Sequence, residues 1–334
     1  MKYSRKIIFT DHPRLPFEEW ADEEPKAAAP RRPHDDGPIR HELEPSEEEK
    51  RSIADDDRLH YISLASGSSG NSCYLGTRAG GIIVDAGIRA DEIEEKLNAA
   101  GIPMRHVKAL LLTHDHSDHV RYSYNLLRTF RHLTLYCTPR VINGLLRKHS
   151  ISKRIKDYQT PIFKEIPFKV ADFEITAFEV PHDGSDNMGF SIDFRGRRFV
   201  LATDLGSVTE RARFYMSQAN YLVIEANYDE TMLRNGAYPE HLKARIRAAN
   251  GHLDNMATAA FLSEIINPEL KYIFLCHLSK DNNTPALALK AVAEALQAKG
   301  ISVGRAEESL SDRRADVQLM TLPRYEATRK FTFR

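Results

Sequence analysis

Cysteine is scarce in this 334-residue sequence, which contains three: Cys73, Cys137 and Cys276. They lie far apart, each within an apolar stretch, and no two of them form a C-x-x-C pair. This distribution argues against a disulfide framework and against a thiolate zinc cluster. We therefore expect all three to be reduced residues of the core.

Net charge and long hydrophobic runs are also missing. The sequence has 47 lysine and arginine residues and 47 aspartate and glutamate residues, which excludes a global basic field, so any contact with nucleic acid needs a local patch. No apolar run reaches the roughly 18 residues of a membrane span, and the N-terminus lacks the features of a signal peptide. We expect a soluble, cytoplasmic protein that does not enter membranes.

The first 57 residues differ in composition from the rest of the chain. They are rich in proline, alanine and charge and poor in β-branched residues, as in "EEPKAAAPRRPHDDG". This composition predicts a mostly disordered, acidic extension over residues 1–57. We expect one folded domain over 58–322 and a C-terminal tail over 323–334.

From residue 58 the pattern is one of short strands and intervening helices. Runs such as "LHYISLAS", "GGIIVDAG" and "VKALLLTH" are apolar, β-branched and bounded by turn residues. Helical patterns follow each strand-rich half, ending with "TPALALKAVAEALQAKG". The order predicts an α/β fold, a four-layer αββα sandwich in which helices cover two mixed β-sheets.

A dense group of histidines and aspartates follows an apolar run in "LLTHDHSDHV". Imidazoles and carboxylates at this density predict divalent metal ions, and chance placement of surface residues does not explain them. If a strand ends here, alternation directs His114 and His116 to the same side, and the next turn aims Asp118 and His119 at a second ion. Asp115 then lies on the opposite side and has no ligand role.

One loop cannot complete two coordination shells, so further ligands should follow later strands. Three candidates do: His182 in "FEVPHDG", Asp204 in "FVLATDLG" and His277 in "IFLCHLS". Each is ambiguous alone, because a single histidine at a strand end is more often a hydrogen-bonded core or loop residue. Their repeated position after an apolar strand indicates a shared metal site.

The H-x-H-x-D-H motif at 114–119, the three later candidates and Asp85 in "IIVDAG" resemble the metallo-β-lactamase-fold hydrolases. From residue 58 to about 300, the segments "LASGSSGNS", "TDLGSV", "YPEHLKARI", "NGHLDN" and "HLSKDNNTP" are similar to the YycJ (WalJ) group. Members of that group are regarded as metal-dependent DNA exonucleases. Asp254 in "NGHLDN" departs from the expected pattern, which has serine there.

The resemblance implies a dinuclear metal site. One ion would be held by His114, His116 and His182, the other by Asp118, His119 and His277, and Asp204 would bridge them. The resemblance implies Zn²⁺ or Mn²⁺ as cofactors, and the donor types are compatible with both and with iron. Asp85 would orient the histidine loop through a hydrogen bond without touching metal.

A hydrolytic mechanism follows from such a site. Two cations about 3.5–4 Å apart would lower the pKa of a bridging water, and the resulting hydroxide would attack a phosphorus or carbonyl centre. Asp118 is the candidate general base, and His252 in "NGHLDN" is the candidate proton donor to the leaving oxygen. A structural loop histidine is an equal alternative for His252.

Three segments are candidates for substrate contacts. The loop "ASGSSGNS" would present Ser68, Ser69, Asn71 and backbone N–H groups to an anion, unless it is an ordinary flexible hairpin. The loop "HLSKDNNTP" would offer the polar residues Ser279, Lys280, Asn282, Asn283 and Thr284, of which a simple helix cap also explains the last. The helix "EHLKARIRAAN" carries Lys243, Arg245 and Arg247, either as a solvated face or as a positive strip beside the cleft.

These residues predict a dinuclear hydrolase, a phosphodiesterase that acts on nucleic acid, with DNA favoured. Hydrolysis of a small ester, thioester or lactam is an alternative, which predicts a narrow apolar pocket in place of a groove. A non-catalytic regulatory protein with the same fold is a second alternative. The seven filled ligand positions argue against it.

Overall fold

The computed structural model describes residues 37–38, 56–306, 308–309 and 311–334. Almost all of the extension predicted at 1–57 lies outside these residues. The described part contains two mixed β-sheets with helices, in agreement with the αββα sandwich that the sequence predicts.

The first sheet has seven strands among the described residues, in the order β15-β1-β2-β3-β4-β5-β6. They are β1 (Leu59–Ala65), β2 (Ser72–Gly76), β3 (Gly81–Val84), β4 (Val107–Leu111), β5 (Thr134–Cys137), β6 (Gln159–Pro161) and β15 (Phe331–Phe333). The strands β3 to β6 run parallel, and the others pair antiparallel. Because β2 and β3 are buried along their whole length, their sequences are continuously apolar or small and do not alternate.

The segment predicted as a C-terminal tail over 323–334 ends inside this sheet. Phe331 of β15 pairs with Tyr61 of β1, and Phe331 and Phe333 are both buried. The two phenylalanines alternate with exposed Thr332, as suits an edge strand with one buried face. Phe331 and Phe333 therefore belong to the core, so the segment that the sequence predicts as a C-terminal tail contributes a strand to this sheet.

The second sheet has eight strands in the described part, in the order β13-β14-β12-β11-β10-β9-β8-β7. They are β7 (Phe168–Val170), β8 (Phe173–Glu179), β9 (Met188–Phe194), β10 (Arg197–Ala202), β11 (Tyr221–Glu225), β12 (Tyr272–Cys276), β13 (Val303–Gly304) and β14 (Val317–Thr321). The strands β10 to β14 are parallel, and β7 to β10 form an antiparallel meander.

Nine α-helices are described. They are α1 (Ala90–Ala99), α2 (Ser117–Val120), α3 (Ser123–Thr129), α4 (Pro139–Lys148), α5 (Glu210–Met216), α6 (Glu230–Asn235), α7 (Glu240–Arg247), α8 (Asn255–Ile265) and α9 (Pro285–Gln297). The Asp254 side chain accepts hydrogen bonds from the first backbone N–H groups of α8. Since aspartate and serine are equally good N-caps, the departure from the expected serine leaves this helix start intact.

The two sheets pack face to face through aromatic side chains. The ring of Tyr61 in β1 lies 4.8 Å from that of Phe199 in β10 and 4.9 Å from that of Phe274 in β12. The helices bury apolar residues against the sheets, for example Leu97 of α1 and Leu262 of α8. All three cysteines are buried free thiols, as the sequence predicts.

Candidate metal centre

The predicted ligands follow the carboxyl ends of strands in both sheets, most of them in loops and Asp118 and His119 in the short helix α2. Parallel pairing aligns these ends in β3 and β4 and again in β10, β11 and β12. Because β4 ends at Leu111, His114 and His116 are loop residues. The loop, and not strand alternation as we expected, therefore brings the two imidazoles together.

Backbone strain marks three of these strand ends. Asp85, Asp204 and His277 have φ angles of 61°, 40° and 53° in the left-handed region, which residues other than glycine seldom adopt. Such conformations cost about 1–3 kcal/mol each and tend to occur at functional sites. The packing around the strand ends holds these side chains where an unstrained backbone would not direct them.

His114, His116 and His182 form one group of donors. Nε2 of His182 lies 3.2 Å from Nδ1 of His116, and the ring of His114 lies 4.6 Å from that of His116. One ring nitrogen from each histidine lies within 4.8 Å of the others. Three imidazole nitrogens at this separation can bind a single divalent cation.

Asp118, His119 and His277 form the second group. Oδ2 of Asp118 lies 3.4 Å from Nε2 of His277 and 3.5 Å from Nε2 of His119. Asp204 lies between the two groups, with Oδ2 3.1 Å from Nε2 of His119 and Oδ1 4.0 Å from Nε2 of His182. Its carboxylate is thus close to a member of each group, as a bridging ligand requires.

Each remaining ring nitrogen of these histidines contacts a further protein group, and Nδ1 of His277 also lies 3.0 Å from Oδ1 of Asp204. The contacts are His114 Nδ1 with Thr113 Oγ1 at 3.0 Å, His116 Nε2 with Asp183 Oδ1 at 3.2 Å, His119 Nδ1 with Asp85 Oδ2 at 2.7 Å, His182 Nδ1 with Gly251 O at 2.9 Å and His277 Nδ1 with Glu225 Oε1 at 2.9 Å. Such contacts orient imidazoles toward a metal. Nε2 of His114 and Oδ2 of Asp204 are buried and make no hydrogen bond within the described residues. The donor set therefore fits a pair of divalent cations.

Asp85 lies against the histidine loop, where the resemblance implies an orienting residue. Its carboxylate accepts hydrogen bonds from the backbone N–H and the hydroxyl of Thr113, at 2.9 and 2.8 Å, and contacts His119. Gly87, two residues later, allows the close approach of the ligand loop. A Cβ atom there would lie 1.7 Å from the carbonyl oxygen of Asp118.

The two groups differ in their electrostatics. Burial lowers the pKa of His114 well below its usual value and that of His182 to about 4. Burial also acts to lower the pKa of His277, but Asp204, Asp118 and Glu225 outweigh it and raise that pKa to about 10. The pKa of His119 is also raised, because Asp204 and Asp118 outweigh the effect of its burial. His114 and His182 are therefore neutral at pH 7, whereas His119 and His277 hold protons that a cation must displace.

Glu225 is a site residue that we did not predict from the sequence. It ends β11, is fully buried, and accepts hydrogen bonds from the backbone N–H groups of Leu205 and Leu253, at 3.0 and 3.2 Å. Its Oε1 lies 2.7 Å from Nδ1 of His252 and 2.9 Å from Nδ1 of His277. The signal was available in "YLVIEANYD", where an acid follows an apolar strand as Asp204 does.

Asp115 has a partner set of its own. Its carboxylate accepts hydrogen bonds from the backbone N–H of Ser185 at 2.8 Å and from the Ser185 hydroxyl at 2.6 Å, and it pairs with Lys148 at 3.1 Å. It joins the histidine loop to the 182–187 loop and to α4. This position is consistent with the expectation that Asp115 is not a ligand.

The glycine- and serine-rich loop borders the second group of donors. Ser68 and Ser69 are exposed, whereas Asn71 is buried. The Asn71 amide donates to Oδ2 of Asp118 at 3.1 Å and lies 3.0 Å from Nε2 of His119. The two serines are open to a ligand, and the asparagine instead positions the metal-binding side chains.

The 279–284 loop also contains both accessible and buried polar side chains. Lys280 is exposed and Ser279 half-buried, but Asn282 and Asn283 are buried. The Asn283 side chain bonds Ala226 O, Asn227 O, Asn255 and the backbone N–H of Thr284, whose own hydroxyl caps α9. The hydrogen-bonding capacity of Asn283 is thus used within the protein. The proposed substrate contact does not fit this residue, and the helix-cap alternative accounts for Thr284.

The basic helix α7 presents one of its three cations toward the site. Lys243 is buried and donates to Arg234 O and Glu240 at 2.9 and 3.0 Å. Arg247 pairs with Glu230 of α6. Arg245 pairs with Asp183, next to His116.

Within the described part of the chain, no helix is long and apolar enough to cross a membrane.

Comparison with known proteins extends these findings. Residues 82–277, more than half of the chain, match the family model described as the beta-lactamase superfamily domain. The chain is 37% identical to exodeoxyribonuclease YycJ of Bacillus anthracis, over 75% of this chain and 94% of that protein. It is 34% identical to exodeoxyribonuclease WalJ of Streptococcus pneumoniae, over 73% of this chain and 90% of that protein.

Solved structures share the fold at low identity. The metallo-β-lactamase fold protein YhfI from Bacillus subtilis matches with a TM-score of 0.58 and 14% identity, over 82% of this chain and 100% of that chain. Zn²⁺-bound PqqB from Methylobacterium extorquens matches with a TM-score of 0.55 and 18% identity, over 82% of this chain and 99% of that chain.

Proposed function

Since the chain belongs to the metallo-β-lactamase superfamily and, within it, to the family of YycJ and WalJ, we propose that it is a dinuclear metal-dependent phosphodiesterase that cleaves nucleic acid, with DNA favoured. The observation that carries the proposal is the pair of donor groups that meet at Asp204. The names of both relatives support DNA as substrate, because the chain covers at least 90% of each.

The cofactors would be Zn²⁺ or Mn²⁺ at two adjoining positions. His114, His116 and His182 would hold one ion, Asp118, His119 and His277 the other, and Asp204 would contact both. Bound there, the cations supply a hydroxide nucleophile near neutral pH and stabilise the negative charge that develops on the phosphate oxygens.

Asp118 is suited to orient the attacking water. Burial alone would raise the pKa of its carboxyl group, but His119 and His277 outweigh this and lower the pKa to about 2. The carboxylate is therefore ionised at neutral pH and accepts hydrogen bonds. Asn71 holds its Oδ2 from one side, at 3.1 Å.

His252 is suited to protonate the leaving oxygen. Its Nδ1 lies 2.7 Å from Oε1 of Glu225, which leaves Nε2 to carry a transferable proton, and the side chain keeps 20% of its surface exposed. Burial acts to lower the pKa of His252, but the Glu225 carboxylate outweighs it, and the pKa is raised. The raised pKa favours the protonated imidazole, which is the form that a general acid needs.

The test is to incubate the full-length protein with end-labelled single-stranded and duplex DNA and RNA in Mn²⁺ or Zn²⁺. We expect metal-dependent cleavage of DNA that EDTA abolishes, and loss of cleavage in Asp118→Ala. Metal content of both proteins should be measured alongside.

Two results would contradict the proposal. Turnover of a small ester, thioester or lactam without cleavage of any nucleic acid would identify an acyl hydrolase. Failure to bind metal after reconstitution would favour a non-catalytic protein.

A further inference from the structure

A salt bridge connects the basic helix to a metal-ligand histidine. Nε of Arg245 donates to Oδ2 of Asp183 at 2.7 Å, and Oδ1 of Asp183 lies 3.2 Å from Nε2 of His116. The Arg245 guanidinium is thus one carboxylate away from the first donor group. On the opposite side of the His116 ring, Nδ1 faces His182.

Arg245 keeps most of its hydrogen-bonding capacity at the protein surface. A guanidinium group carries five N–H donors, and Asp183 is the one partner of the Arg245 side chain within the described residues. The side chain remains 43% exposed. A planar cation held at one edge, with its other edge toward solvent, is the arrangement that binds a phosphate through two parallel hydrogen bonds.

The neighbouring cations of α7 are held elsewhere. The Lys243 ammonium group is buried against Arg234 O, and both oxygens of Glu230 pair with Arg247. The chain after α7 turns back to the site, where Gly251 O contacts His182 and His252 contacts Glu225. The geometry of α7 therefore directs a single positive charge to this side of the centre.

We propose that Arg245 binds the backbone phosphate adjacent to the one that is cleaved, on the His116 side of the centre, and that Asp183 holds the guanidinium ready for it. The inference rests on the proposed function, and it makes the substrate a polyanionic strand with at least two phosphates. It would also give a protein with no net charge one local cation for a backbone phosphate.

The experiment compares full-length wild type with Arg245→Gln, Arg245→Lys and the matched control Arg247→Gln. Binding of a fluorescein-labelled single-stranded oligodeoxynucleotide is measured by anisotropy in EDTA over a series of NaCl concentrations. Values of KM and kcat for its cleavage in Mn²⁺ are measured in parallel, together with metal content.

We expect Arg245→Gln to weaken binding about tenfold or more, as the loss of a charged hydrogen bond does. The slope of log K against log [NaCl] should become shallower by about 0.7, the value of one phosphate contact on a single strand. KM should rise with little change in kcat, Arg245→Lys should keep the wild-type slope, and Arg247→Gln should match wild type.

An unchanged salt slope in Arg245→Gln would overturn the inference. So would a fall in metal content and kcat at constant KM, because Arg245 would then act only by holding Asp183 against His116. If wild type cleaves DNA, either of these results contradicts the inference about Arg245 but not the proposed function. A wild type that cleaves no nucleic acid fails the proposed function itself, and the inference with it.

Discussion

Oε1 of Glu225 lies 2.7 Å from Nδ1 of His252, in the base of the site. The same oxygen lies 2.9 Å from Nδ1 of His277. One buried carboxylate thus contacts both the proposed proton donor and a proposed metal ligand. Its charge favours the protonated form of His252 and fixes the ring orientation of His277.

Glu225→Gln removes this charge and keeps the shape of the side chain. The pKa of His252 should fall, since burial then acts without the opposing carboxylate. His252 would lose its proton at a lower pH, so the alkaline decline of kcat should move to lower pH, and kcat at neutral pH should fall on the order of 100-fold. The measurement is the pH profile of kcat at saturating metal.

His252→Gln is the companion variant. It should lower kcat to a similar extent and abolish the alkaline decline, while metal content remains near wild type. Metal affinity of Glu225→Gln is measured separately, because removing a carboxylate behind a ligand histidine weakens metal binding about 10–100-fold. If kcat of Glu225→Gln declines at the same alkaline pH as kcat of wild type, His252 is not the proton donor.

Asp115 and Asp118 are three residues apart and should respond differently to the same change. Asp118→Asn should lose one metal equivalent, because Asp118 lies among the second group of donors. Asp115→Asn should keep both metals and lose about 1–3 kcal/mol of unfolding free energy, because its carboxylate is buried against Ser185 and Lys148. Metal analysis and chemical denaturation test both. Loss of metal from Asp115→Asn alone would contradict the assignment.

Metal binding should release protons from His277 but not from His182. In the metal-free protein His277, with its pKa raised to about 10, is protonated at pH 8, whereas His182, lowered to about 4, is neutral. The raised pKa of His277 stabilises the metal-free fold below pH 6.5, and this contribution is lost as pH rises through about 10. Affinity for the second cation should accordingly increase with pH.

Calorimetry in two buffers of different ionisation enthalpy measures this release. Wild type should release protons on binding two equivalents at pH 8. His277→Gln, which retains the group of His114, His116 and His182, should bind its cation with little release. Equal release per metal in both proteins would contradict the difference between the groups.

The strand β15 makes the last residues of the chain part of the core. Phe331 is 2% exposed, and its ring lies 5.1 Å from that of Phe274. Phe331→Ala should lower the unfolding free energy by about 3–5 kcal/mol. Thr332→Ala, at the exposed position between the phenylalanines, should cost less than about 1 kcal/mol. Similar small effects of both changes would show that the segment is a dispensable tail.

The sequence alone determined the elements that depend on neighbours along the chain. Alternation and apolar runs specify strands, and the density of "HDHSDH" after one strand specifies a metal-binding loop. His182, Asp204 and His277 each follow an apolar strand, and this repeated pattern predicts that they belong to the same site. Such inferences are possible from the sequence because each depends on a few consecutive residues.

Tertiary structure decided the pairings between distant segments. Glu225 meets His252, Asp183 meets Arg245, and Phe331 meets Tyr61 only because the order and pairing of the strands bring their segments together. The partners of a polar side chain depend on packing and not on its neighbours in sequence. For this reason Asn283, which the sequence predicts as a substrate contact, is buried and hydrogen-bonded between loops. For the same reason Glu225, which the sequence did not predict, contacts His252 and His277.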